Sequence, residues 1–194
     1  MLRRLSVFLC IAIGGCQPAF RAVDYPAQPK SDWVLSSAPG ASRVRELPTD
    51  AERKVFAEEG ARVTALRVET APEDFYGSKL YDGFDFLLQP LDAGDNVVRK
   101  LGHLDVALYT FSAKTYSGEG TRLMEWHIPA SRMVKLWRES AFDRGYRIKL
   151  AWASRPMVDA VKMEVRFETL EGEVLTKIVT AGSVDQPRYH WLLK

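Results

Sequence analysis

Residues able to do chemistry are few and scattered along this chain. The three histidines, His103, His127 and His190, have no ligand spacing between them and read as exposed or hydrogen-bonded structural residues. No GxSxG, HExxH, GxGxxG, P-loop or CxxC pattern occurs. No catalytic residue, metal site or cofactor is therefore assigned. Asp92, Asp95 and Asn96 crowd one connection and offer oxygens to Ca²⁺, but Asp, Gly and Asn are also what a tight turn requires. The stretch Ala71 to Gly83 is long for a connection and carries Phe75, Tyr76 and Tyr81 beside Asp74, Lys79 and Asp82. Rings flanked by hydrogen-bonding groups suit a sugar or peptide site, because a ring face stacks while its neighbours bond. The same rings, folded inward, would close the end of a core. Trp126, Trp137 and Trp152 fall on inward faces by periodicity and are assigned to the core.

The remaining reactive group is a thiol. Arg3 and Arg4 precede an apolar run of nine residues, Leu5 to Ile13. That run is too short for a bilayer-spanning helix, which needs ~20 residues, and it has the form of an export signal. Ile13-Gly14-Gly15-Cys16 follows it. This sequence resembles the lipobox of bacterial lipoproteins, in which an aliphatic residue and two small residues precede the cysteine that is acylated. The resemblance implies removal of residues 1–15, a diacylglyceryl group on the Cys16 sulfur and an N-acyl chain such as palmitate. At ~0.8 kcal/mol per buried CH₂, more than one chain anchors stably where one would be marginal. Gln17 rather than Asp after the cysteine leans, by the same resemblance, toward an outer membrane facing the periplasm. The alternative is an ordinary signal peptide or uncleaved anchor with Cys16 a bystander.

The chain has two cysteines, Cys10 inside the signal and Cys16 at its end, so the exported domain contains no thiol and folds without a disulfide. Composition is that of a globular protein, 46% apolar and 27% charged. The net charge of +2 comes from 27 basic and 25 acidic residues, and loss of Arg3 and Arg4 leaves the mature chain neutral. Neutrality argues against nucleic acid and against electrostatic recruitment to anionic lipid.

From residue 16 to about 60, Pro18, Pro26, Pro29, Pro39 and Pro48 punctuate small and polar residues, which reads as a tether. Fully flexible, it would span on the order of 35 to 40 Å. Within it, Thr49 and Glu52 fit a capping box, predicting a short helix over 50–59 that shows Val55 and Phe56 to a partner surface. Trp33, Val34 and Leu35 suit an edge segment.

Residues 61–182 read as the folded domain. Period-two alternation recurs over Arg62–Thr70, Phe84–Leu91, His103–Phe111, Arg122–Ile128, Tyr146–Trp152, Val161–Glu168 and Val174–Ala181. The second and third of these are expected to pair as a hairpin through the turn at 91–96, and the last three to form a meander. A helix over Ser131 to Ser140, capped by Ser131, should plug one end with Met133, Leu136 and Trp137. The fold class is thus all-β, an antiparallel β-sandwich of about seven strands with one short inserted helix. It resembles immunoglobulin-like or C2-like sandwiches in architecture, which by itself implies no function. His103 to Phe111 is apolar on its second face too, through Ala107, Tyr109 and Phe111, and calls for a cover, either the 50–59 helix or the C-terminal tail 183–194. Together these features predict a membrane-anchored envelope lipoprotein whose noncatalytic sandwich is an interaction or structural module. Its partners would be membrane lipid through Cys16 and an envelope protein or glycan. The alternative is a carbohydrate- or peptide-binding module using loop 71–83.

Overall fold

The computed structural model describes residues 20–22, 33–56, 62–77, 81–111, 120–140, 144–156 and 161–181. The signal 1–15, Cys16, Ser117 to Glu119 and the tail 183–194 with His190 lie outside them. In chain order the described elements are β1 (Phe20–Ala22), β2 (Trp33–Leu35), α1 (Asp50–Phe56), β3 (Ala65–Glu73), β4 (Gly83–Leu91), β5 (Gly102–Thr110) and β6 (Arg122–Ile128). They continue with α2 (Ala130–Leu136), β7 (Trp137–Glu139), β8 (Arg144–Ala151), β9 (Ser154–Pro156), β10 (Val161–Thr169) and β11 (Val174–Ala181). The strands with period-two alternation are the long ones, and they make an all-β sandwich.

One sheet has the order β11-β10-β5-β6 and the other β2-β8-β4-β3, with β7 also pairing β8. Pairing is antiparallel except for β2, which runs parallel to β8. Each inner face is apolar at alternate positions: Phe84, Phe86 and Leu88 of β4 and Ile148 and Leu150 of β8 face Leu104, Val106 and Leu108 of β5 and Met163, Val165 and Phe167 of β10. All are buried, each removing roughly 1.5–3 kcal/mol worth of side chain from water. Trp126 spans the layers, its indole N–H on β6 donating to the Ala151 carbonyl on β8 at 2.9 Å. The β10–β11 hairpin turns at Glu171-Gly172, where Gly172 adopts φ +89°.

Sheet membership differs from the expected neighbours. β4 and β5 do not pair as a hairpin: the turn at 91–96 closes on the bridge Leu91 to Val97, and the chain then crosses to the other sheet. β8 likewise leaves the expected meander and lies beside β4, so that of those three strands β10 and β11 alone pair with each other. Alternation shows which face of a strand is buried but not which sheet buries it.

Two helices are present among the described residues. α1 carries the reciprocal capping box, Thr49 N–H donating to Glu52 Oε2 at 2.8 Å and Glu52 N–H to Thr49 Oγ1 at 3.3 Å. Its Phe56 is buried edge-on against Trp137, 6.2 Å between ring centroids, while Val55 stays exposed. α2 ends at Leu136, shorter than expected, because Trp137 turns extended and begins β7. Its N-cap is Pro129, not Ser131, and no side-chain cap forms. Other segments supply the acceptors instead: Ala130 N–H donates to His103 Nδ1 at 3.3 Å and Ser131 N–H to the Glu46 carbonyl at 3.2 Å.

The segment assigned to the tether touches the sandwich at several points. β1 pairs β9, β2 adds an edge to β8, and Ser37 bridges to Glu125 on β6.

Candidate functional site

The aromatic loop is shorter than its sequence suggested, because β3 runs to Glu73 and β4 starts at Gly83. Asp82 closes it. Its carboxylate is buried and accepts Phe75 N–H at 2.8 Å and Tyr76 N–H at 3.2 Å. Burial raises the Asp82 pKa above the ordinary carboxylate range, against those two bonds. Phe75 lies over Gly83, where an added Cβ would come within 2.3 Å of the ring. The Lys149 ammonium sits 5.5 Å from the Phe75 centroid. Tyr81 is 4% exposed, whereas Phe75 and Tyr76 are half-buried. The three rings therefore do not share one exposed surface.

Asp92 Oδ1 is taken up by its own turn, accepting Gly94 N–H at 2.8 Å and Asn96 N–H at 2.9 Å. Among the described residues no group of three His, Cys, Asp or Glu is arranged to hold a metal ion.

A different set of side chains converges on the outer face of the β10-β5-β6 sheet, built by register. Alternation sends Asp105, Ala107 and Tyr109 of β5 outward, and pairing sets rows across the strands: Arg166, Asp105 and His127, then Glu164, Ala107 and Glu125, then Lys162, Tyr109 and Arg122. A register shift at Leu108/Tyr109 brings Arg122 opposite Tyr109 and lets Leu123 and Met124 both point inward. His127 Nδ1 is 2.9 Å from Asp105 Oδ1. A carboxylate accepts only, so Nδ1 carries the proton of that bond. Nε2 lies 2.9 Å from Glu125 Oε2, a distance of ion-pair range without a hydrogen bond's alignment. Arg122 binds the other Glu125 oxygen, and Arg166 reaches Asp105 at 3.4 Å and Glu168 at 2.7 Å.

These rows also answer what covers the second face of β5. The Tyr109 ring lies between two cations, Arg122 at 5.4 Å and Lys162 at 5.3 Å from its centroid. Helix α1 is not the cover, since its buried residue packs on Trp137; the tail lies outside the described residues.

Residues 38–45 cross this face as a strap. Gly40 N–H donates to Glu125 Oε1 at 3.3 Å, Arg43 reaches Asp105 at 3.2 Å, and Arg45 clamps Glu168 with both terminal nitrogens at 2.6 and 3.0 Å. The Arg45 bond, helped by Arg166, holds the Glu168 carboxyl well below its ordinary value, at about 2. The strap also accounts for Glu125, a carboxylate on an outward position that is only 2% exposed.

Beside His127 a small, partly open cavity of about 40 Å³ gives room for a few water molecules, at ~10–15 Å³ each on this measure. A larger groove of about 590 Å³ lies between the end of the strap and α2, lined by Glu46, Leu47, Glu52, Arg132, Lys135 and Arg138. Its walls carry both signs of charge.

Of the residues flagged from sequence, His127 belongs to the convergent face together with Ala107 and Tyr109, flagged there only as a face needing cover, and His103 lies at its margin capping α2. Asp105, Glu125, Glu168, Arg43 and Arg45 were missed. The outward positions of the strands carried a weak signal, since acid and base alternate along β10; Arg43 and Arg45 gave none, lying in a proline-punctuated stretch without period. Comparison with protein-family models, curated proteins and solved structures finds no match to this chain.

Proposed function

We propose that this protein is a lipid-anchored envelope protein whose β-sandwich works without catalysis, as an interaction or structural module held near a membrane through Cys16. One observation carries the reading: Arg3 and Arg4, an apolar run to Ile13, and Gly14-Gly15-Cys16 stand in the order an acylation signal needs. The sandwich is compatible with it. Its convergent polar face is closed by ion pairs, and its groove is wide, shallowly polar and suited to another surface. The envelope location, with the domain facing the periplasm, follows from the anchor. Mass spectrometry of the native protein tests it: the expected N-terminal species is Cys16 carrying fatty-acyl adducts, lost in Cys16→Ser. An unmodified Cys16 in protein recovered from the aqueous phase of a detergent partition would overturn it.

A second reading, a glycan or peptide site on loop 71–83, is favoured by Phe75 and Tyr76 alone, whose backbone is pinned by Asp82. Tyr81, being buried, has no ring face to offer a ligand. Tyr76→Ala should weaken glycan retention at unchanged stability under this reading, and leave it untouched under the first.

A further inference from the structure

We infer that the strap 38–45 is a displaceable latch, and that the sheet face beneath it is a docking surface for an extended peptide carrying two cationic side chains two positions apart. The strap itself shows what the face accepts. Arg43 and Arg45 have the i, i+2 spacing that puts both side chains on one side of an extended chain. They reach carboxylates on adjacent strands, Asp105 on β5 and Glu168 on β10. Without them the face carries Asp105, Glu125, Glu164 and Glu168 against Arg122, Lys162 and Arg166, so it has more carboxylates than fixed cations. The two strap arginines turn that excess of one carboxylate into an excess of one cation.

Among the described residues, only the Gly40 N–H bond to Glu125 adds to these two ion pairs within the strap. Both arginines are 43% exposed and Val44 between them is 56% exposed, so no apolar side chain is buried by the central part. The firm attachments lie at its ends, at the Ser37 bridge to Glu125 and at Glu46, whose carbonyl accepts Ser131 N–H, with Pro48 buried beyond. Exposed ion pairs are individually weak, so exchanging two within the chain for two with a partner costs little. The strap's advantage is its proximity, an effective concentration in the millimolar range, which a partner must exceed. This deepens the interaction-module reading by naming its surface, and it does not depend on the acyl anchor.

The test uses the full chain in detergent micelles and a synthetic peptide with the sequence of residues 38–47, followed by amide NMR titration to millimolar concentration. The Arg43→Gln/Arg45→Gln chain should bind the peptide saturably, with shifts centred on Asp105 and Glu168 and a Kd at least tenfold below that of the unaltered chain. Adding Glu168→Gln, or replacing both peptide arginines by Gln, should abolish those shifts. Equal binding by latched and opened chains, or no binding by the opened chain, would overturn the inference. So would loss of the fold in the opened chain, since the strap would then be structural. Absence of a fatty-acid adduct leaves the titration unaffected, so the two readings fail separately.

Discussion

The Arg45 to Glu168 clamp is the contact whose strength can be worked out furthest. Arg45 meets both carboxylate oxygens, the fork-to-fork arrangement in which guanidinium pairs are strongest. A carboxyl held at about 2 in the fold and returning to an ordinary 4.5 when unfolded corresponds nominally to roughly 3 kcal/mol, at ~1.4 kcal/mol per tenfold. That figure includes Arg166, which binds the same carboxylate at 2.7 Å, and the clamp lies at the sheet surface with Arg45 43% exposed. Solvent screening therefore reduces the share of Arg45 to about 1 kcal/mol. The perturbation is Arg45→Met, which keeps the aliphatic stem, combined with Glu168→Gln in a double-mutant cycle read by urea denaturation. At pH 7 the coupling should be about 1 kcal/mol. Because the folded value is depressed, the contribution is complete above the unfolded pKa and disappears as pH falls from about 4.5 toward about 2. Repeating the cycle at successively lower pH, down to the last point at which the protein is folded, should show the coupling shrink. A coupling of zero at pH 7, or one that does not diminish on acidification, would refute the reasoning.

Two further perturbations probe neighbouring features. His103 accepts Ala130 N–H through Nδ1, and its pKa is lowered below 6.5 by burial and then by Arg45, against Glu168 and Asp105. The neutral ring is the folded form, so its stabilisation is present above pH 6.5 and lost as pH falls through the folded value; His103→Gln should flatten that part of the stability profile, and NMR titration should place the His103 midpoint below 6.5. Gly83→Ala puts a Cβ within 2.4 Å of the Leu150 carbonyl and 2.3 Å of Phe75, and should cost on the order of 1–3 kcal/mol in thermal unfolding, displacing Phe75 and quenching its contact with Lys149.

Ion-paired faces of this kind are ordinarily solvated. Here Glu125 is covered because Ser37 and Gly40 lie over it, and that cover concentrates the charge of neighbouring strands beneath one segment. Closeness of the layers has another effect at Tyr146, whose buried hydroxyl donates to the Lys100 carbonyl at 2.5 Å and whose pKa burial pushes far above the phenolic range.

What could be known from the order of residues was what depends on neighbours in the chain. The alternation in Val161-Lys162-Met163-Glu164-Val165-Arg166-Phe167 marks a strand with one dry face, whatever it pairs with, because successive side chains point to opposite sides. Thr49 and Glu52 mark a helix start because both halves of that hydrogen-bonded box lie within four residues. The lack of any cysteine after Cys16, and the resemblance of residues 13–16 to a lipobox, are likewise written in sequence alone. Tertiary structure decided everything that needed two distant segments to meet. It separated β4 from β5, moved the cap of α2 from Ser131 to His103 and Glu46, and placed His127 between Asp105 and Glu125, 22 and 2 positions away. It also laid a proline-punctuated stretch across three strands. The physical reason is that burying a face requires only that some apolar surface cover it, while register and partner depend on which covering removes the most surface and leaves the fewest polar groups unpaired, a sum taken over the whole chain.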